Sequence, residues 1–264
     1  MLLATNKSIL LLLQFEANFF KLLWLIFFDV LKIKIAPVFF TWSRLISLIL
    51  SIKKYIFFDT MTDKTINKLI LIQENIKKLN IKSEILPQII CISKTFGLSQ
   101  ISPLIDYGHI HFGENKVQEA EQKWLEVKNK NKNIKLHMVG RLQTNKVKKA
   151  VQIFDFIHSV DSKKLAETLK KREDEINKKL SYFIQINLGN ESQKGGINKN
   201  ETEDFLTYCK KDIRINVIGL MAIPPFNQSP EKYFSEISDL NSKLGLKHLS
   251  LGMSNDYAIA LKYQ

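Results

Sequence analysis

Short apolar runs recur along this chain from about residue 88 onward, and each is followed by a stretch whose apolar residues return at helical spacing. The first run is Gln88-Ile89-Ile90-Cys91-Ile92-Ser93, introduced by Pro87, and others centre near residues 111, 136, 156, 185, 218 and 249. Helices are predicted between them over Ser99–Tyr107, Asn115–Lys128, Asn145–Val151, Ser162–Asn177, Lys199–Lys210 and Pro230–Leu244. One more precedes the series, with Ile66, Leu69, Ile70, Ile76 and Leu79 on one face and Thr62 or Asp63 as its cap. Strands and helices in strict alternation predict parallel β/α units. The fold class expected is α/β, a TIM-type (β/α) barrel. Such a barrel closes with eight strands. Seven are counted here, so the barrel is expected to be truncated before the eighth strand.

Residues 1–60 have a different character. Apolar runs crowd at Ile9–Leu13, Leu22–Phe28, Val38–Phe40, Leu45–Leu50 and Ile56–Phe58. A membrane helix needs about 20 mostly apolar residues. Lys21, Asp29, Lys32, Lys34 and Arg44 interrupt these runs, and no small-residue cleavage site follows the first of them. A weak membrane segment and a targeting or membrane-surface segment are two readings. The reading adopted is a start assigned too early, with 1–60 a hydrophobic extension and 61–264 the working domain. Met61-Thr62-Asp63-Lys64-Thr65 is a natural polar beginning.

Charge and cysteine content narrow the partners. The net charge of +13 would suit a nucleic acid, an anionic surface or a phosphorylated ligand. Lysine dominates it, scattered as at Lys128, Lys130, Lys132 and Lys135, with no basic strip flanked by aromatics. A solvated lysine surface is the reading adopted, with no nucleic-acid partner and a membrane role not expected. The two cysteines, Cys91 and Cys209, form no C-x-x-C pair, which fits free thiols in a reducing, cytoplasmic setting. The five histidines lack the spacing of a metal site.

The strand ends carry the polar chemistry. Lys94 follows the first strand, where barrel active sites form. A partly desolvated amine there would have a lowered pKa and act as a nucleophile toward an aldehyde, or else the side chain simply leaves into solvent. After the second strand come Gly113, Glu114 and Asn115, placed where a helix begins. Asn115 either caps that helix or hydrogen-bonds a ligand. Gly140, Gln143, Asn145 and Lys146 follow the third strand, and His158, Asp161 and Ser162 the fourth, where strand-end satisfaction and capping are the simpler roles. Asn187 and a rim loop with paired Gly195 and Gly196 follow the fifth, and Met221 lies in the sixth as core packing or ligand contact. Gly252 and Ser254 follow the seventh as a candidate anion site built from backbone N–H groups and a hydroxyl.

From about Met61 to Tyr257 the chain resembles the pyridoxal phosphate homeostasis proteins, which have an alanine-racemase-like barrel. The strings that carry the resemblance are Ser93-Lys94-Thr95, Phe112-Gly113-Glu114-Asn115, Val117-Gln118-Glu119, Gly140 through Lys146 and His158-Ser159-Val160-Asp161. Gln185-Ile186-Asn187, Gly219 through Pro224 and Leu249 through Ser254 complete them. The resemblance implies pyridoxal 5′-phosphate held on Lys94 as a Schiff base, with a phosphate contact at Ser254. The candidate cofactor-binding set is Lys94, Asn115, Asn187, Met221, Gly252 and Ser254. The resemblance also implies a protein that buffers or delivers the cofactor, to pyridoxal-phosphate-dependent apoenzymes among others, without robust turnover. A racemase-like enzyme and a degenerate barrel without cofactor are the alternatives. The family continues past this point with a Gly-Ser-Thr segment and a Val-Arg-Ile-Gly strand that complete the phosphate site, whereas this sequence ends Ala258-Ile259-Ala260-Leu261-Lys262-Tyr263-Gln264.

Overall fold

The computed structural model describes residues 63–79, 87–189, 195–225 and 228–263, and the readings made for residues 1–60 lie outside the described residues. Helix α1 (Lys64–Lys78) begins where the Asp63 carboxylate accepts the Thr65 N–H at 2.7 Å. This satisfies one of the free amides of the first turn. At its other end Lys77 and Lys78 sit against the negative end of the helix dipole.

The chain then alternates as predicted. It runs β1 (Cys91–Ile92), α2 (Leu98–Asp106), β2 (His111–Glu114), α3 (Val117–Lys130), β3 (Lys135–Met138) and α4 (Val147–Ile153). It continues β4 (Phe156–Val160), α5 (Lys163–Ile176), β5 (Ser181–Ile186), α6 (Thr202–Thr207), β6 (Val217–Ala222), α7 (Pro230–Lys243), β7 (His248–Ser250) and α8 (Tyr257–Ala260). Two boundaries differ from the sequence reading. A 3₁₀ turn, Thr144–Lys146, precedes α4. The helix expected over Lys199–Lys210 is divided into a 3₁₀ turn, α6 and a π-helical turn over Tyr208–Ile213 that ends at left-handed Arg214. Apolar periodicity reports which face is buried and is blind to such changes of hydrogen-bond register.

Every strand pairs parallel with its sequence neighbour, in the order β1 to β7. The sheet is strongly curled. His158 Nδ1 on β4 lies 2.7 Å from Ser250 Oγ on β7, three strands away. Three steps across a flat sheet would separate them by about 14 Å. Outside the sheet, Asn75 of α1 donates to the Tyr257 hydroxyl of α8 at 3.3 Å, so the first and last helices meet.

The two faces of the sheet are both covered, as parallel strands require. Outward residues Phe112, Leu136, Ile157, Tyr182, Ile184 and Leu220 are fully buried beneath the helices. Phe112 packs on Trp124 of α3 with ring centroids 4.7 Å apart. Burial of each such side chain stabilises the fold by about 1.5–3 kcal/mol. Inward residues His137 and Phe156 stack at 4.3 Å, and His158 and Phe183 at 4.4 Å, filling the interior as barrel layers do.

Candidate functional site

Because all the strands run the same way, their C-terminal ends share one edge, and the six candidates gather at the ends of five strands. Lys94 stands two residues beyond β1 and is exposed. Asn115 and Asn187 follow β2 and β5 directly and are half-buried. Met221 is buried within β6, paired in register with Gln185 on one side and Ser250 on the other. Gly252 and Ser254 follow β7, and Ser254 is exposed. Part of the rim loop after β5, residues 190–194, lies outside the described residues.

Lys94 sits in a tight turn. Phe96 N–H donates to the Ser93 carbonyl at 3.2 Å, and Thr95 between them has φ +67°. A left-handed third residue is the mark of a type II turn, where glycine or asparagine is usual. A β-branched residue there is strained, and it persists because its surroundings fix it. Ser93 donates its N–H to Gly113 O at 2.9 Å and its hydroxyl to Glu114 Oε1 at 2.7 Å. Thr95 N–H donates to Glu119 Oε1 at 2.6 Å. Lys123 Nζ donates to three oxygens at once: Ser93 O at 2.7 Å, Glu114 Oε1 at 2.9 Å and Glu119 Oε1 at 3.1 Å. Trp124 Nε1 donates to Glu114 Oε1 at 2.9 Å, the third donor to that oxygen after Ser93 Oγ and Lys123 Nζ. Burial pushes the Glu119 carboxyl up, but the Thr95 amide and Lys123 together leave it below its ordinary value.

Two sequence readings are corrected here. Glu114 does not stand at a helix start. It is the last residue of β2 and fully buried, facing α3. Asn115 is not the cap of α3, because Lys116 holds that position and no side chain caps the helix. Instead Asn115 backs Gly140, where an added Cβ would lie 2.4 Å from the Asn115 carbonyl oxygen. Only glycine allows that approach.

The interior holds a ladder the sequence reading missed. His111 Nδ1 lies 3.0 Å from His137 Nε2, His137 Nδ1 lies 2.9 Å from His158 Nε2, and His158 Nδ1 meets Ser250 Oγ. His158 is therefore a buried mid-strand imidazole with partners on both nitrogens, not a strand-end group. Burial lowers His137 to about 2, helped by the neighbouring imidazoles, and burial lowers His158 to about 3. Both rings are neutral at physiological pH. The available signal was strand parity: each histidine falls at an inward position of its own strand, invisible to a search for short metal-ligand spacings. Among the described residues no group of three His, Cys, Asp or Glu is arranged to hold a metal ion.

Beyond β7 the chain turns at Gly252, φ +79°, where an added Cβ would lie 2.9 Å from Tyr257 Cα. Met253 N–H donates to Asp256 Oδ1 at 2.5 Å, and the Met253 carbonyl accepts from Asp256 N–H and Tyr257 N–H. The Met253 amide is thus turned into the loop, which leaves the Ser254 hydroxyl as the exposed candidate for a phosphate. Among the described helices none is long and apolar enough to cross a membrane.

Residues 68–262 match the family described as alanine racemase, N-terminal domain. The chain is 35% identical over 179 residues to a pyridoxal phosphate homeostasis protein of Aquifex aeolicus, covering 64% of this chain and 78% of the relative. It is 33% identical over 183 residues to the protein of that name from Synechocystis, covering 66% and 84%. Among solved structures it is similar to PipY of Synechococcus elongatus with PLP bound, at 30% identity and a TM-score of 0.64 over 72% of this chain and 92% of that one. Alanine racemase of Clostridium difficile, at 16% identity and a TM-score of 0.51, shares the fold alone.

Proposed function

The chain belongs to the alanine racemase N-terminal domain family and, within it, to the pyridoxal phosphate homeostasis proteins, and from that membership we propose that it binds pyridoxal 5′-phosphate on Lys94 and buffers the cofactor or hands it to apoenzymes that need it. The residues at the strand ends fit such a ligand: one exposed amine, one exposed hydroxyl and two amide side chains along a single edge. When bound, the cofactor would supply an aldehyde, a group that reacts reversibly with amines.

This chain's residues supply the rest. Lys94 offers the amine at the open edge, on a turn fixed from both sides. Ser254, exposed after β7, would donate its hydroxyl to the phosphate. Asn115 and Asn187, directly after β2 and β5, would orient the ring, and Met221, buried within β6, would offer it an apolar contact. The observation that carries the reading is Lys94 at the C-terminal edge of a parallel barrel sheet, in a chain of this family. The relatives that match most of this sequence carry the name homeostasis protein, which supports binding and release of the cofactor without amino-acid turnover. A cytoplasmic carrier is the setting this implies.

The test is direct. Purified protein mixed with pyridoxal 5′-phosphate should gain absorbance near the visible edge, and borohydride should fix one adduct to the peptide containing Lys94. Lys94→Ala should lose both signals. Absence of any adduct at Lys94 in the wild-type protein sinks the binding reading. Racemisation of an added amino acid above background would move the protein to the enzyme class.

A further inference from the structure

We propose that Glu119 and Lys123 of α3, together with Glu114, are positioning residues that set the Lys94 turn, so that the reactive amine is presented in one place before the cofactor arrives. This rests on the binding role of Lys94 proposed above. Three observations carry it. The residues on both sides of Lys94 are each tied to α3: Ser93 O to Lys123 at 2.7 Å, and Thr95 N–H to Glu119 at 2.6 Å. Lys94 itself makes no such tie among the hydrogen bonds of this turn and remains exposed. Thr95 holds a left-handed conformation that a threonine does not adopt unaided.

The clamp is charged and sheltered. The Lys123 side chain is 9% exposed and that of Glu114 not at all. Hydrogen bonds from a charged donor in such surroundings are short and strong. Lys123 spans the first turns of α3 to the end of β1, so the position of Lys94 is fixed by rigid elements and not by its own loop. Lys123 also pairs with Glu119 at i,i+4, which holds the Glu119 carboxylate where the Thr95 amide meets it. Preorganisation of this kind raises affinity because less freedom is lost on binding. It also gives one lysine priority in a lysine-rich chain whose other amines can all react with an aldehyde.

Glu119→Ala isolates the effect. The Glu119 side chain is 27% exposed, and Lys123 keeps Glu114, so no charge is left buried alone. Near-ultraviolet dichroism establishes that the variant is folded. Its Kd for pyridoxal 5′-phosphate should rise about tenfold, the loss of one hydrogen bond to a charged group. Peptide mapping after borohydride should show the adduct spreading from Lys94 to other lysines. Glu119→Gln, which keeps an acceptor oxygen for the Thr95 amide, should recover most of the affinity. Thr95→Gly in the Glu119→Ala background should recover part of it and restore selectivity for Lys94, since glycine takes this φ without strain. A purely structural role for Glu119 would not be relieved by that second change.

Wild-type affinity and an adduct confined to Lys94 in Glu119→Ala overturn the proposal, as does failure of Thr95→Gly to restore selectivity. In either case the wild-type adduct stands and the binding role is untouched. A wild-type protein without an adduct at Lys94 removes the binding role and the positioning proposal with it.

Discussion

At the scale of the residue, the positions that matter most are those where the backbone, not the side chain, decides. Gly252 has φ +79° and is overlaid by Tyr257. A non-glycine residue in the left-handed region costs about 1–2 kcal/mol, before any clash is counted. Gly252→Ala should therefore lower stability by about 2 kcal/mol, read as a lower urea midpoint with an unchanged m value. Ser254, by contrast, is exposed, and the hydrogen bonds that hold its loop run among Met253, Asp256 and Tyr257. Ser254→Ala should leave the urea midpoint in place and raise the cofactor Kd about tenfold, the worth of one hydrogen bond to a charged group. The strand-end positions of Lys94 and Ser254 were legible in the sequence, because each follows an apolar run. Thr95 was not, since nothing in the letters Ser-Lys-Thr announces a left-handed residue. Its strain is sustained by Glu119, 24 positions away.

At the scale of the element, the inward faces of β2, β3 and β4 make a continuous imidazole ladder that ends on β7. His137 and His158 are held near 2 and 3 by burial, so both stay neutral in the folded protein across the ordinary acid range. In the unfolded chain they gain protons below about pH 6.5. The unfolded state then binds more protons than the folded one, so stability falls as pH falls. The expected loss is about 1.4 kcal/mol per pH unit for each ring, beginning below pH 6.5 and continuing toward the folded values. Urea unfolding at a series of pH values checks this, and His158→Asn should reduce the slope by about half. Stability that stays flat down to pH 5 would show that the rings are not held neutral. The strands themselves were readable from apolar runs, and all seven lie where those runs predict. The ladder was not, because hydrogen bonds between strands depend on register, which single-strand patterns leave open.

At the scale of the whole molecule, the described strands and helices belong to one compact unit, Thr62–Gln264. It is ordered by curl: β4 reaches β7 through His158 and Ser250, and α1 reaches α8 through Asn75 and Tyr257. Both ties join residues far apart in sequence, the second across 182 positions. We propose that residues 1–60 are an extension that the barrel does not need. A chain starting at Met61 should have the thermal midpoint of the full-length protein and form the Lys94 adduct with the same Kd. A form that fails to fold or to bind would assign residues 1–60 a structural part.

The sequence alone determined the alternation of strand and helix, the parallel class of the sheet, and the edge on which Lys94, Asn115, Asn187, Gly252 and Ser254 fall. These follow from local periodicity, since hydrophobic spacing states which residues must leave water and a parallel sheet places all strand ends together. Only the tertiary structure decided that Glu114 turns outward to Trp124 and Lys123, that α3 grips the Lys94 turn, and that three histidines meet inside the curl. The physical reason is the same in each case. A buried polar group must find its partner in space, and here the partners come from other strands and helices, at distances along the chain that no local pattern encodes.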